Sequence, residues 1–425
     1  MKKKKAPLVR RMKEFVKTSV VWGPLDHNLF FTIIFLNVYG IIMVYSASYN
    51  NSITKNYSYF MNNQLKNVIF GFAIMIVASY VNYHRIVRLG WGWFWLLAAV
   101  AIIAALKTPL AHSELGATRW IKLGPVSFQA AEPIKAAIII FFAYYVSYWG
   151  LNRWYNQVLA CLLAIALLGF LFFFSNNLST VIVLFCICAV IILSSVKKPD
   201  LYWYFLIGLA LIIIAAIFVT VYLLMHQGAE NFRFVRIRAW LHPEEYAADE
   251  GLQAMQARYA IGAGGFWGKG LGQSLIKFKL SYSYNDFILA IICEELGVFG
   301  VIVMMTLFGY LLYRIYKIAQ NAWDIEGKVL AIGVFTQIAL QLLINVMVVT
   351  SVIPTTGVTL PFFSAGGTSV VFLLAELGMV LNVDKYAKER RFFEEAERHV
   401  AQMEQRGGIG VAGWRRRLDS ARTRR

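Results

Sequence analysis

The stretch from Tyr284 to Gly297 reads YNDFILAIICEELG and places three carboxylates at the start and in the interior of an otherwise apolar helix. A carboxylate at membrane depth costs about 2.5 kcal/mol or more on insertion scales, so it is first read as functional. Asp286 comes where a long polar loop reaches the apolar run, which is where a base could meet an amphipathic substrate. Two alternatives stay open: Asp286 could be a stabilising helix N-cap, and Glu294 and Glu295 could be buried structural partners.

The composition around this stretch predicts a polytopic membrane protein. Hydrophobic residues make up 59% of the 425 residues and charged residues 15%, whereas soluble domains carry about 25% charge. Apolar runs of about 20 residues, enough to cross a bilayer, recur along the chain. Backbone groups in lipid must bond internally, and the runs lack the alternation of barrel strands, so we predict an all-α fold with about ten transmembrane helices. The predicted spans are 29–47, 68–81, 91–106, 131–148, 158–174, 178–195, 201–225, 286–316, 329–352 and 364–383.

The net charge of +18 could suggest nucleic acid, but its distribution favours a membrane. The basic residues precede the first span, follow the last, and mark alternate loops between them. Threading ten helices from a cytoplasmic N-terminus puts all these clusters on one side, which is the positive-inside pattern. We therefore expect a multi-pass protein of the bacterial cytoplasmic (inner) membrane with both termini cytoplasmic and no nucleic-acid partner. The clusters are Lys2 to Lys5, Arg10, Arg11, Lys13, Lys17, His84, Arg85, Arg88, Arg153, Lys197, Lys198, Arg314, Lys317, Lys385, Lys388, Arg390 and Arg391.

Three parts follow from this pattern. Residues 1–28 form a basic cytoplasmic segment, residues 29–384 form the transmembrane domain, and residues 385–425 form a charged cytoplasmic tail that is partly disordered. Residues 386–405 of this tail read as a helix. The transmembrane domain carries a large outside loop at 226–285, and long loops of this kind tend to be functional. No internal repeat is visible, which weakens a transporter interpretation.

The other outside loop, from about residue 107 to 130, ends in a charged helix start. Glu132 and Lys135 are three residues apart, so they share a helix face and can pair. One interpretation is a self-neutralising pair that lets a helix end enter the bilayer. The other is a charged wall of an outward cavity, in which Lys135 and Arg119 meet a phosphate.

Six glycines lie between residues 262 and 272, but they do not form a known phosphate-binding motif. Gly270 stands where a Walker A loop needs Ser or Thr, and Trp267 fills the last glycine position of a dinucleotide fingerprint. The segment is therefore either a flexible loop or a place where backbone approaches a ligand closely. The polar candidates that flank it are Gln253, Gln256, Lys269, Ser274 and Lys277.

Together these residues resemble the SEDS family of bacterial cell-envelope proteins, which includes FtsW, RodA and SpoVE. The resemblance spans about Asp26 to Lys385 and fits the FtsW/SpoVE branch better than RodA. Four positions depart from the family pattern, at Gln129-Ala130-Ala131-Glu132, Asn176-Asn177-Leu178-Ser179, Leu280-Ser281 and Tyr284-Asn285-Asp286. The motifs that carry the resemblance are MVYSAS (43–48), RWI (119–121), Gln129 with Glu132 and Lys135, Gln253 with Gln256, AIG (260–262), GLGQS (270–274) with Lys277, DFI (286–288), EELG (294–297), LPF (360–362) and Ser364 with GGTS (366–369).

The resemblance implies a peptidoglycan glycosyltransferase that polymerises lipid II at the outer face of the cytoplasmic membrane, in septal wall synthesis. It also implies a class B penicillin-binding protein as partner, with other divisome or elongasome membrane proteins. In this hypothesis Asp286 is the general base, and Arg119, Lys135 and Lys277 meet the pyrophosphate. The other residues expected to bind substrate are Glu132, Gln253, Gln256 and Ser364.

No ligand cluster demands a metal, although a divalent cation such as magnesium or manganese could assist the pyrophosphate. Two functions of other classes stay open. A lipid II flippase would use the same basic cavity without chemistry, and a non-catalytic scaffold would only recruit a transpeptidase. Polymerisation of labelled lipid II by the purified protein discriminates between them.

Overall fold

The computed structural model describes residues 21, 23–48, 59–109, 111–114, 117–123, 126–175, 177–196, 232–246, 250–278, 285–364 and 367–405. Its helices are α1 (His27–Ser48), α2 (Tyr59–Tyr80), α3 (Tyr83–Val87), α4 (Trp93–Ala105), α5 (Ala131–Trp149), α6 (Trp154–Ser175), α7 (Leu178–Ser195), α8 (Phe232–Leu241), α9 (Glu250–Gly264), α10 (Ile288–Gln320), α11 (Ile325–Val349) and α12 (Thr368–Gln405). Two short 3₁₀ turns, Leu89–Gly92 and Ile276–Phe278, complete the helical elements.

The all-α prediction is confirmed, and each apolar run within the described residues coincides with a helix. The helices α1, α6, α7, α10 and α11 are long and apolar enough to cross a bilayer, and α4 is a shorter apolar helix. The predicted run 201–225 lies outside the described residues, so the count of ten helices stays a prediction. The predicted span 364–383 and the predicted charged helix 386–405 are joined in one helix, α12, which begins four residues later than predicted, at Thr368.

Helix α11 is central to the packing. It contacts α5, α7, α10 and α12, while α12 packs along α2, and α1 and α9 pack on α10. The faces that meet are apolar: Ile134, Val334, Ile338 and Leu377 are fully buried. Because α11 is surrounded, the polar residues on it are enclosed by protein instead of lipid, which decides where the site lies.

One end of the helix bundle gathers charged residues from loops that alternate along the chain. Asp26 pairs with Arg314, His84 Nε2 lies 2.6 Å from Asp324, and Arg88 lies 2.8 Å from Glu326. Burial opposes the charge on Asp324, but hydrogen bonds from His84, the Gly327 amide and Tyr83 outweigh it and lower its pKa. These loops therefore share one side of the bundle, as the charge pattern predicts.

The opposite end carries a small antiparallel sheet that the sequence analysis did not predict. Strands β1 (Ala111–Glu114), β2 (Ala117–Leu123) and β3 (Val126–Gln129) are joined in the order β1-β2-β3. In the β2–β3 pairing, Trp120 lies opposite Gln129 and Ile121 opposite Phe128. Since β3 leads directly into α5, the sheet fixes how Gln129 and the first turn of α5 approach the bundle.

Candidate functional site

Asp286 lies in a turn immediately before α10. The helix begins at Ile288, and its N-cap position is Phe287, which makes no side-chain cap. The interpretation of Asp286 as the N-cap is therefore wrong, and the predicted start of this span moves by two residues. The Asp286 side chain is half-buried at the end of the bundle that carries the sheet.

Two polar side chains hold the backbone of this turn. Asn345 of α11 donates through Nδ2 to the Asp286 carbonyl at 2.9 Å and to the Val358 carbonyl at 2.9 Å. Ser364 donates to the Asn285 carbonyl at 2.9 Å and accepts from the Leu360 amide at 2.8 Å. The turn is thus tied to α11 and to the 358–364 segment, which fixes where the Asp286 carboxylate emerges.

Next to this turn is a polar cavity of about 30 Å³, room for about two water molecules. A second cavity of about 10 Å³ adjoins it and shares Gln129, Ala131, Asn177 and Thr180 with it. The 357–359 segment, whose Val358 carbonyl Asn345 binds, forms part of the wall. The residues that line the larger cavity are Gln129, Ala131, Glu132, Lys135, Asn177, Ser179, Thr180, Val183, Gln341, Gly357, Val358 and Thr359.

Glu132 and Lys135 form a buried ion pair in this wall. The Lys135 ammonium lies 2.9 Å from the Glu132 carboxylate, and the side chains are 2% and 6% exposed. The predicted pairing is present, and both residues also line the cavity. A contact of Lys135 and Arg119 with a phosphate stays a prediction. Breaking such a pair by removing one partner typically costs about 3–5 kcal/mol.

Glu294 and Glu295 are buried structural partners, as the alternative interpretation predicts. Glu294 accepts from Lys269 Nζ at 2.8 Å, from the Ser274 hydroxyl, and from the Leu275 and Ile276 amides. Glu295 accepts from the Ser46 hydroxyl and from the Ser274 amide. The two carboxylates therefore organise the segment that follows α9 and do not face the cavity.

The glycine-rich segment approaches α10 closely. Helix α10 breaks at Gly297, where φ is +64°. The carbonyls of Glu294 and Glu295, released from the helix ladder, accept the Lys269 and Gly270 amides at 2.9 Å. In return, the amides of residues 298 and 299 donate to the carbonyls of residues 265 and 266 at 3.1 Å. The segment thus replaces the helical hydrogen bonds that the break removes.

Lys277 belongs to the same network. Its ammonium donates to the Gly272 carbonyl at 2.8 Å and to the Ser46 carbonyl at 3.2 Å, and it lies 3.5 Å from Glu295. An ammonium has three donors, and these contacts engage them inside the protein. This placement favours a structural role over the predicted contact with pyrophosphate.

The remaining predicted residues lie on elements that flank the cavity. Arg119 is on β2, next to Trp120, which pairs with Gln129 of the cavity wall. Gln253 and Gln256 are half-buried on α9, which packs on α10 and α11. The structure does not bring these two glutamines into the cavity wall. Their binding of substrate stays a prediction.

The sequence analysis missed three polar residues of α11 and one acid of α12. Gln337, Gln341 and Asn345 recur every four residues and are all buried, so they form one stripe along α11. Gln341 lines the cavity, Asn345 holds Asp286, and Gln337 donates to Glu376 of α12 at 2.8 Å. The four-residue spacing within an apolar run was the available signal.

No group of three or more His, Cys, Asp or Glu residues converges as a metal site within the described part of the chain. The four cysteines are free thiols. Assistance of the pyrophosphate by a divalent cation stays a prediction.

Comparisons with known proteins agree on one family. The FtsW/RodA/SpoVE family, described as "Cell cycle protein", matches residues 26–389. The probable peptidoglycan glycosyltransferase FtsW of Bacillus subtilis (strain 168) is 32% identical over 371 residues, which are 85% of this chain and 91% of the relative. Stage V sporulation protein E of the same organism is 33% identical, with 84% of this chain and 96% of the relative covered.

Solved structures show the same fold. A chain from a peptidoglycan synthase complex that coordinates polymerisation and crosslinking superposes with a TM-score of 0.72 at 22% identity, covering 86% of this chain and 99% of that one. The rod shape determining protein RodA of Thermus thermophilus superposes with a TM-score of 0.61 at 22% identity, covering 85% and 97%. The chain therefore belongs to the FtsW/RodA/SpoVE family of cell cycle proteins.

Proposed function

We propose that this protein is a peptidoglycan glycosyltransferase that polymerises lipid II at the outer face of the bacterial cytoplasmic membrane, in septal wall synthesis. The observation that carries the proposal is the Asp286 turn, which α11 and Ser364 hold beside a polar cavity with a buried ammonium. The names of the FtsW relatives, similar over most of the chain, support the activity.

The chemistry follows from a carboxylate held near a cationic wall. Asp286 accepts the proton of the acceptor sugar 4-hydroxyl, and that oxygen attacks the anomeric carbon of the donor. The new glycosidic bond forms as the bond from this carbon to the pyrophosphate breaks, and the configuration inverts. General base assistance of this kind is typically worth about 10²–10⁴-fold in rate.

The leaving pyrophosphate needs positive charge. Lys135 supplies it from the cavity wall, and Arg119 lies on the strand beside that wall. The present cavity holds only water-sized ligands, so the proposal requires the segment 357–359 or the sheet to move when substrate binds. A divalent cation, magnesium or manganese, enters the proposal only as an aid to the leaving group, and chelation of the assay mixture tests it.

A transpeptidase partner belongs to the proposal. One structural neighbour comes from a synthase complex that joins polymerisation to crosslinking, which supports a class B penicillin-binding protein as the partner of this chain. Other divisome membrane proteins extend the same assembly.

The test is polymerisation of fluorescent lipid II by the purified protein in detergent, alone and with a class B penicillin-binding protein. Glycan strands longer than the substrate are the expected product. A flippase would instead move fluorescent lipid II across liposomes without lengthening it, and a scaffold would do neither. Absence of glycan strands under both conditions, with a folded protein, contradicts the proposal.

A further inference from the structure

The mechanism above does not use the buried acid Glu376. Glu376 lies in the part of α12 that packs on α5 and α11, and it is 1% exposed. Gln337 of α11 donates through Nε2 to its Oε2 at 2.8 Å. This contact joins Glu376 to the polar stripe of α11 that continues through Gln341, in the cavity wall, to Asn345.

The charges around Glu376 do not balance if it is ionised. Both charges of the Glu132–Lys135 pair act on the Glu376 carboxyl, and the pair itself is closed at 2.9 Å. Within the described residues, the hydrogen-bond partner of the Glu376 carboxyl is the neutral amide of Gln337, and Oε1 has none. Two carboxyls therefore share one ammonium in the membrane interior, where an unpaired carboxylate is strongly disfavoured.

The contact between Glu376 and Gln337 also lacks at least one hydrogen-bond donor. Because Gln337 donates to Oε2, the Oε1 atoms of Glu376 and Gln337 are both left as buried acceptors, and the described residues offer neither of them a donor. A carboxylic acid carries an O–H group that a carboxylate lacks. A protonated Glu376 therefore supplies a donor that this arrangement is missing.

We propose that Glu376 is held as a neutral acid behind the Glu132–Lys135 pair, and that this neutral form keeps net negative charge away from the cavity wall. A substrate pyrophosphate can then meet Lys135 with only Glu132 as competitor. Ionisation of Glu376 places a second carboxylate in the field of Lys135 and repels the incoming anion. The inference rests on the proposed function, because pyrophosphate is the anion of the proposed substrate.

The groups that face Glu376 are few. From α5 the charged groups are Glu132 and Lys135, and from α11 the polar neighbour is Gln337. On the side of α2, Met75 packs against the neighbouring turn of α12 at Gly378. A pH effect that passes through this site must therefore involve Glu376, Glu132 or Lys135, and a substitution confined to Glu376 separates it from the other two.

The experiment compares lipid II polymerisation by the wild-type protein and Glu376→Gln across the neutral and alkaline range. Gln is neutral at every pH and keeps the shape of the acid. We expect the wild-type protein and the variant to polymerise at equal rates at the acidic end of this range. As the pH rises, the wild-type rate should fall relative to the variant rate by up to about tenfold per pH unit, which is the slope for loss of one proton. A rate ratio that stays constant with pH overturns the proposal.

Glu326→Gln is the matched control. It neutralises another buried glutamate, which pairs with Arg88 at the opposite end of the bundle, away from the cavity. Its rate ratio to wild type should not change with pH. If Glu326→Gln reproduces the effect of Glu376→Gln, the effect is not specific to the cavity and the proposal is wrong.

Infrared spectroscopy keeps the proposal testable without polymerisation or a stable variant. Wild-type protein with isotope-labelled glutamate should show the carbonyl stretch of a protonated acid, which disappears on alkaline titration with the midpoint of the activity loss. Absence of any protonated glutamate signal at neutral pH overturns the inference. If the wild-type protein shows this signal but does not polymerise lipid II, the proposed function is contradicted. The protonation state of Glu376 is then still measured by the infrared signal.

Discussion

Asn345 and Ser364 act on the Asp286 turn through backbone carbonyls, so they fix the position of the carboxylate without consuming its oxygens. Glu294 and Glu295 show the contrary arrangement, because amides, hydroxyls and lysines surround their carboxylates. Of the three acids in the stretch that begins at Tyr284, Asp286 is half-buried and the two glutamates are fully buried. The general base role of Asp286 stays a prediction.

Asp286→Asn tests the general base. The side chain is not the cap of α10, and the Asn345 contact uses the backbone, so the variant should insert and fold normally. We expect glycan polymerisation to drop by at least about 10²-fold, the lower range for loss of a general base. Lipid II binding should change far less, because the effect falls on the transition state.

Asp324→Asn is the matched control for this change, since Asp324 lies at the opposite end of the bundle and Asn caps a helix about as well as Asp. It should retain polymerisation. Near-normal polymerisation by Asp286→Asn would remove the base from Asp286.

Charge reversal of the Glu132–Lys135 pair tests whether the two residues stabilise each other. Lys135→Glu alone places two like charges three residues apart in a buried helix turn, and loss of such a pair costs about 3–5 kcal/mol. Combining it with Glu132→Lys restores opposite charges, so folding yield or thermal stability should recover in part. Expression and thermal unfolding in detergent measure this. If the double variant is no better than Lys135→Glu, the two residues do not stabilise each other as a pair.

Among the elements, α10 shows how a broken membrane helix is stabilised by a neighbouring segment. Gly297 has φ +64°, and a Cβ there would overlap the Gly268 nitrogen and the Phe266 carbonyl oxygen. Non-helical backbone at membrane depth is tolerated only where protein encloses it. The glycine-rich segment after α9 provides that enclosure, and at Gly264 and Gly268 a Cβ would overlap the α10 backbone at Cys293 and Glu295.

Gly297→Ala should therefore destabilise the protein severely, by about 2 kcal/mol or more, because both its conformation and its contacts exclude a side chain. Gly309→Ala is the matched control on the same helix, where a Cβ meets nothing within 4 Å. Alanine at this position should be neutral or stabilising by up to about 1 kcal/mol. Equal thermal unfolding temperatures for the two variants would contradict the account of the break.

For the whole molecule, the features that are local in sequence were predictable. Residues 178–195 form α7 with the predicted bounds, because an apolar run of bilayer length leaves a helix as the only solution. The sheet at residues 111–129 was missed, since its short strands are stabilised by pairing with one another. The break at Gly297 was missed too, because it depends on hydrogen bonds from residues 265–270.

The candidate site shows the same division. Asp286, Glu132 and Lys135 were predictable because charged residues in apolar runs are costly and therefore conspicuous. Gln337, Gln341 and Asn345 are uncharged, and their four-residue spacing becomes meaningful only when α5, α10 and α12 surround α11. Lys277 is predicted from sequence to meet the pyrophosphate. Its contacts with the carbonyls of Ser46 and Gly272 depend on how the segments fold together and could not be predicted from sequence.

The arrangement of charged loops makes a prediction about topology. The structure brings the residues around 26, 84–88, 314 and 324–326 to one end of the bundle and the sheet with Asp286 to the other. The predicted run 201–225, outside the described residues, must cross once for this alternation to hold.

A reporter fused after Lys198 or at the C-terminus should therefore report a cytoplasmic location, and one inserted near Asn231 should report the outer face. Reporters beside Arg153 and in the 107–116 loop give matched inside and outside controls. A cytoplasmic signal near Asn231 would overturn the ten-helix topology, because the chain would then reach Asp286 from the wrong side of the membrane.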